Sequence, residues 1–261
     1  MRKIIDFCRL AAVLCTQDMQ ERFAGSLLGS LWVFIWPVVQ LFIYIIIFGK
    51  MMGGRFAADA QIPSYGIYVA AGLLSWTCFA NTLQRTSRVF VEKRHIIGKV
   101  TVDLRVFPLF ICMAELIPFA AGALLLALTD YALGWRPVPS LLVWTLFALY
   151  CQQVLAVGLG LFFACCAVFV RDTVEAVNIA LQIAFWFTPI VYLPDILPDW
   201  VRSVVLINPM LHLTGIFQQC FVFVDTVSWA SLLYAALVSH AALMLGLRVF
   251  HRLEKDVRDV V

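Results

Sequence analysis

The chain has 261 residues, of which 63% are hydrophobic and 13% charged, with a mean hydropathy of +0.93 and a formal net charge of +3. Soluble domains run nearer ~45–50% apolar and ~25% charged, so a soluble globule of this composition could not cover itself with polar surface; a polytopic membrane protein is implied. The small net charge, with no basic run interleaved with exposed aromatics, gives no sign of a nucleic-acid partner.

Residues 1–23 read as an amphipathic helix lying on the membrane interface, with Ile5, Cys8, Ala12, Cys15, Met19 and Phe23 on one face and Asp6, Arg9, Gln17 and Gln20 on the other. Asp6 and Arg9 interrupt the apolar run that a cleavable signal would need, so the first span is expected to act as the insertion signal. That span, 27–49, holds no charged residue in 23 positions. At 1.5 Å rise this is about 34 Å of helix, enough to cross a hydrocarbon core of ~30 Å. It reads as the stretch around which the rest is organised. Trp32, Trp36, Gln40, Tyr44 and Phe48 recur along it at four-residue spacing, a stripe that drifts by ~40° per step.

Further spans are expected at about 65–84, 106–128, 140–168, 174–193 and 228–248, giving an all-α integral membrane protein of six transmembrane helices in a single domain. With the N-terminus inside, fifteen of the 19 Lys and Arg residues fall on inner segments and four, Lys50, Arg55, Arg136 and Arg202, on outer ones. This bias places both termini in the cytoplasm. The inner connection 85–105 is too long for a simple turn and carries six basic residues and an apolar Ile96-Ile97 step. It reads either as a solvated basic loop or as a short helix docking on a cytoplasmic partner. The outer connection 194–227 is apolar and punctuated by Pro194, Pro198 and Asn208-Pro209. It reads as two short re-entrant helices covering the outer end of the bundle, since irregular backbone at that depth must lie against protein or water.

Chemistry-bearing residues are few. The eight cysteines form no CxxC pair, the four histidines have no metal-ligand spacing, and no GxxxxGK[ST] loop or nucleophilic triad signature is present. Glu115 is the one ionisable side chain deep in a span, where a carboxylate costs ~2.5–3.5 kcal/mol. It must therefore face protein or water, as a polar contact on a pathway, a coupling element, or a protonated acid bonded to a neighbouring helix. In the fifth span Asn178, Gln182, Phe185, Trp186 and Pro189 share a face. Aromatic faces with amide neighbours suit carbohydrate, which stacks its C–H face and hydrogen-bonds its hydroxyls; helix packing and an interfacial aromatic belt are the alternative. Arg171-Asp172, at the inner end of the fourth span, reads as a membrane-edge ion pair or as a turn contacting a cytoplasmic partner.

Three blocks resemble the membrane subunits of type-2 ABC exporters that move polysaccharides such as O-antigen, capsule and teichoic acid. The first holds Arg22, Gly25-Ser26, Leu28-Gly29, Leu31-Trp32, Pro37 and Phe48-Gly49. The second holds Phe169, Arg171-Asp172, Gln182 and Thr188-Pro189-Ile190-Val191-Tyr192, and the third holds Leu197-Pro198 and Asn208-Pro209. The resemblance implies a non-catalytic, homodimeric permease of a bacterial inner membrane that exports a lipid-linked glycan. It implies two copies of a separate ATPase that carries the ATP and Mg, with no cofactor in this chain. Coupling to that ATPase would involve Arg22, Glu92, Lys93, Arg94, His95, Ile96, Ile97, Lys99, Arg171 and Asp172. Tyr192, Pro198, Asn208 and Pro209 would belong to an outer gate, and Trp32, Trp36, Gln40, Tyr44, Asn178, Gln182, Phe185 and Trp186 to the substrate path. The inner loop departs from the Asn-Leu-Ile and Lys-Val-x-Phe-Pro steps of many relatives: it reads His95-Ile96-Ile97-Gly98-Lys99-Val100, and its proline arrives only at Pro108. The same fold would serve an exporter of lipid or small drugs. A membrane enzyme acting on lipid-linked sugar would need a cluster of His, Asp or Arg, where the outer face offers scattered Asp195, Asp199, Arg202 and His212.

Overall fold

The computed structural model describes residues 2–47, 65–98, 103–132, 134, 139–193, 197–222 and 228–260, and these contain helices and turns but no strand. The helices are α1 (Arg2–Phe23), α2 (Trp32–Ile43), α3 (Tyr65–Glu92), α4 (Arg94–Ile97), α5 (Val106–Ala132), α6 (Pro139–Phe169), α7 (Asp172–Trp186), α8 (Asp199–Val205), α9 (Pro209–Val222) and α10 (Trp229–Val260). Among these residues, five helical segments are long and apolar enough to cross a membrane, beginning at Gly29, Tyr65, Val106, Leu142 and Trp229. The bent pair α8–α9, turned by 89°, brings the number to six if counted as one broken span. Where the sequence places a span over 174–193, α7 has 15 residues, about 22 Å of helix, and the chain then folds back through Thr188 and Pro189.

The middle of the bundle is α3. The most apolar window of α3 is 72% buried, against 11% for the segment that contains α2. α3 packs on α5, α6, α7 and α9, whereas α2 touches chiefly α5 and buries only Val33 and Pro37. The most hydrophobic run in the sequence is thus peripheral. Hydropathy measures affinity for hydrocarbon, and the segment with most small and polar residues, α3, is the one other helices can approach. Residues 44–47 continue α2 in π-helical geometry. A Cβ on Gly66 of α3 would lie 2.7 Å from the Ile45 backbone, so glycine is what lets α3 seat against that wide turn.

Small residues set the other crossings as well. A Cβ on Gly246 of α10 would fall 2.2 Å from the Gly158 carbonyl oxygen of α6, and one on Gly158 would fall 2.5 Å from the Leu243 backbone nitrogen. Backbone contact of this kind is how helices gain dispersion energy where lipid removes the hydrophobic driving force.

The connection read as an 85–105 loop is helical for much of its length. α3 continues through Arg85 and Arg88 to Glu92, with Thr86, Ser87, Val89 and Phe90 buried, and α4 follows at once. A charge ends a hydropathy window but not a helix, provided that the charge is neutralised inside the fold. The face of α1 also differs from the expected one. Ala11, Cys15 and Asp18 are buried, while Cys8 and Ala12 are exposed. Before α5, the Asp103 carboxylate accepts hydrogen bonds from the Arg105 backbone N–H (3.0 Å) and Nε (2.9 Å), which hold its carboxyl below the usual range.

Substituting Gly246 by Val should force α10 off α6, since the obstacle is backbone and cannot rotate away. A cost of about 2–4 kcal/mol is expected, read as a lowered Tm in detergent. Gly215, whose Cβ would meet nothing within 4 Å, should accept Ala with little change.

Candidate functional site

At the α1 end of α3, four charges meet. Arg85 on α3 donates through Nη1 to Glu115 Oε1 on α5 (2.7 Å) and through Nη2 to Asp18 on α1. Arg22 donates through Nε to Asp18 Oδ2 (3.0 Å) and through Nη2 to Glu115. Each guanidinium therefore touches both carboxylates, and Asn81 Nδ2 completes Glu115 at Oε2 (3.2 Å). Glu115 is 1% and Asp18 8% exposed. Arg85 is half-buried and Arg22 exposed, so two guanidiniums at the edge of the bundle neutralise two buried carboxylates, and Glu115 is met further by an amide, which is the condition under which buried ions are tolerated. The network explains the rotation of α1: the face that carries Asp18 must turn inward.

One turn further along α3, Gln84 Nε2 donates to Asn178 Oδ1 of α7 (2.7 Å), and Asn178 in turn donates to Glu175 (3.3 Å). The residues Asn81, Gln84 and Arg85 thus join α1 and α5 on one side to α7 on the other. Above this polar step, α3 and α7 enclose a cavity of about 380 Å³ lined by Trp76, Ala80, Gln84, Asn178, Leu181, Gln182, Phe185 and Trp186. Trp76 and Phe185 meet edge to face at 5.8 Å. The four expected path residues of the fifth span are therefore brought together. Pro189, read on the same face, is buried in the bend instead.

The first-span stripe divides. Trp32 and Trp36 are 40% and 61% exposed. They line a second cavity of about 320 Å³ with Arg22, Asn81, Glu115 and Pro118. Gln40 and Tyr44 are half-buried further along, where Tyr44 packs toward Tyr65 and Tyr68. A four-residue step drifts around the helix, and three steps carry the stripe from one neighbour at Trp32 to another at Tyr44; Phe48 lies outside the described residues.

Arg94 and His95 are exposed on α4, Glu92 is exposed and paired with Arg88 at 3.0 Å, and Lys93 reaches Glu21 of α1 at 3.4 Å. Ile97 is buried and Ile96 packs with it onto the cluster of Phe90, Phe107 and Phe250. Lys99 lies outside the described residues. Arg171 and Asp172 are both exposed in the tight α6–α7 turn. Arg22, also exposed, directs its guanidinium to the buried Asp18 and Glu115.

At the opposite end, Asn208 holds the backbone bend. Its Nδ2 donates to the Phe187 carbonyl (3.2 Å) and to Thr188 Oγ1 (2.9 Å), while its Oδ1 caps α9 at the Met210 N–H (2.9 Å). Pro209 opens α9 and Pro198 precedes α8. The Tyr192 hydroxyl donates to the Trp186 carbonyl (2.6 Å), Gln218 donates to the Ile190 carbonyl (3.3 Å), and Tyr65 donates to the Val191 carbonyl.

Asp18, Trp76, Asn81, Gln84 and Arg85 were not singled out by the sequence. The Asp18/Arg22 spacing of four was a legible signal for an ion pair on α1, but nothing local points to partners 67 and 93 residues away.

Glu115→Ala leaves both guanidiniums with Asp18 alone and should cost about 3–5 kcal/mol, seen as a large drop in Tm in detergent. Glu115→Gln, which keeps an oxygen for Asn81, should cost less. An unchanged Tm for Glu115→Ala would remove the network from the account of how α1 is held.

Among curated proteins, the chain is 26% identical to the O-antigen export system permease protein RfbA of Klebsiella pneumoniae, over 97% of this chain and 95% of that one. It is 26% identical to the RfbA protein of Myxococcus xanthus over 85% and 83% of the two chains. It is 23% identical to the capsule polysaccharide export inner-membrane protein CtrC of Neisseria meningitidis serogroup B over 95% and 92%. Residues 9–222 match the family model described as ABC-2 type transporter, and this multi-span membrane protein belongs to that family.

Proposed function

We propose that the chain is the permease subunit of an ATP-driven exporter that moves a lipid-linked polysaccharide, of O-antigen or capsule type, across a bacterial inner membrane. The observation that carries this reading is the pair of aromatic–amide cavities on either side of α3. One holds Trp76, Phe185 and Trp186 with Gln84, Asn178 and Gln182, and the other holds Trp32 and Trp36 with Asn81. Rings supply faces for the C–H side of a sugar and amides supply donors and acceptors for its hydroxyls. Neither cavity asks for a fixed sequence of sugars, which suits a polymer that must keep moving. The relatives named for O-antigen export and capsule polysaccharide export support the same substrate class.

The chain would act as a homodimer with two copies of a cytoplasmic ATPase, and with both termini in the cytoplasm. ATP and Mg would be bound by the partner, and this chain would need no cofactor of its own. The exposed Arg94 and His95 of α4 and the exposed Arg171-Asp172 turn are the surfaces offered for docking. The buried Ile97 anchors α4 so that a push on it moves α3. The residues Tyr192, Pro198, Asn208 and Pro209 at the other end form the gate, and the path would be completed by the second copy.

Replacing Trp36 and Trp186 together by Ala should lower export of the glycan by about thirtyfold, at ~1 kcal/mol per ring, while co-purification with the ATPase stays intact. An exporter of lipid or small drugs would keep its transport rate in that variant. Deleting residues 91–100 should abolish co-purification with the ATPase; its retention would contradict the coupling assignment.

A further inference from the structure

The cavity that holds Trp32 and Trp36 is walled on one side by Met19, Arg22 and Phe23 of α1. Met19, Phe23 and Val33 line both this cavity and a groove of about 930 Å³ between α1, α2 and α5, so the two spaces adjoin along these three residues. Their chemistry differs. The large half is walled by Leu31, Phe34, Leu116, Ile117 and Leu124. Leu31, Phe34, Ile117 and Leu124 are exposed on segments long enough to cross the membrane, which opens this half to hydrocarbon. The small half is floored by Arg22, Asn81 and Glu115 beneath the two indoles.

The turn between α1 and α2 shapes the junction. Gly25 and Gly29 have φ of 76° and 51°, and a Cβ on either would meet nothing within 4 Å, so backbone path and not space requires glycine there. The path sets Ser30 and Leu31 on the groove rim, and Trp32 Nε1 donates to Ser26 Oγ at 2.9 Å, which fixes that indole over the small half.

We propose that these two adjoining spaces form the loading site for the amphiphilic end of the substrate, the lipid chain lying in the large apolar half and the anionic or polar linker with its first sugar in the small half. The assignment rests on the export reading above and adds to it a subsite for the lipid. A pure hydrocarbon would leave Arg22 and Asn81 facing an apolar surface. A free sugar would leave the large half unused. A molecule with both parts covalently joined fills the whole space. Arg22 engages Asp18 through Nε and Glu115 through Nη2, and its Nη1 has no partner among the described residues and remains a donor for the linker.

The test is photocapture in native membranes with the whole transporter and, as probe, a radiolabelled oligosaccharide joined through phosphate to a long polyprenyl chain. A photoreactive side chain is placed in turn at Ile117 in the groove, at Gln182 on α7, and at Leu237, an exposed position of α10. Capture at Ile117 should exceed that at Leu237 severalfold. Ala120→Trp, which fills the groove from an exposed backbone position, should lower capture at Ile117 by about tenfold. Leu128→Trp, beyond the groove, should leave it unchanged. Capture at Gln182 with only background at Ile117 overturns the loading site and leaves the export reading standing. Background at both overturns the two together. Adducts at Ile117 that contain phospholipid and no sugar also overturn the proposal and mark the groove as an ordinary bilayer contact.

Discussion

The square of Asp18, Arg22, Arg85 and Glu115, with both carboxylates buried, is the constraint on which the rest of the bundle depends. It is made by three helices from distant parts of the chain, and neither buried carboxylate would be tolerated without the two guanidiniums. The square pins α1 to α3 and α5, orients the face of α1, and lets α3 run on as a helix two turns past its last apolar span. Because Arg85 is consumed inside, the surface offered at that end is not the whole basic loop but the short α4 and the α6–α7 turn.

From that anchor α3 acts as a ridge between two cavities. Asn81 and Arg85 face the square, Gln84 reaches α7, and Trp76 extends the same ridge toward the opposite end. The polar contacts that hold the helices also set the distance between the aromatic walls. In the export reading this ties loading, coupling and path to one element. A displacement of α1 or α4 cannot leave α3 where it was, and α3 cannot move without altering the α7 wall.

Much of the architecture was legible from composition and charge, because hydrocarbon imposes a strong rule on segment length. The broken character of the 194–227 stretch was readable from its prolines and Asn208-Pro209. The central role of α3 was not. Tyr65–Glu92 is the least hydropathic of the spans, and a hydropathy profile ranks it last for the reason that makes it central. The Glu115 position was readable as one that needs a partner, but the identity of the partners was not, since Arg85 and Asp18 look like ordinary interface charges until the helices are docked. The stripe on α2 was half legible: Trp32 and Trp36 share a cavity, while the drift of a four-residue step takes Tyr44 to a different neighbour.

The measurement that bears most directly on this account is a cryo-EM map of the transporter trapped with its lipid-linked glycan. Sugar density is expected between α3 and α7, against Trp76, Gln182 and Phe185, with the Asp18–Arg22–Arg85–Glu115 square intact beneath it. Sugar density running along a surface that excludes α3 and α7, or a translocating state in which the path forms while that square is broken and α1 is detached, would contradict it.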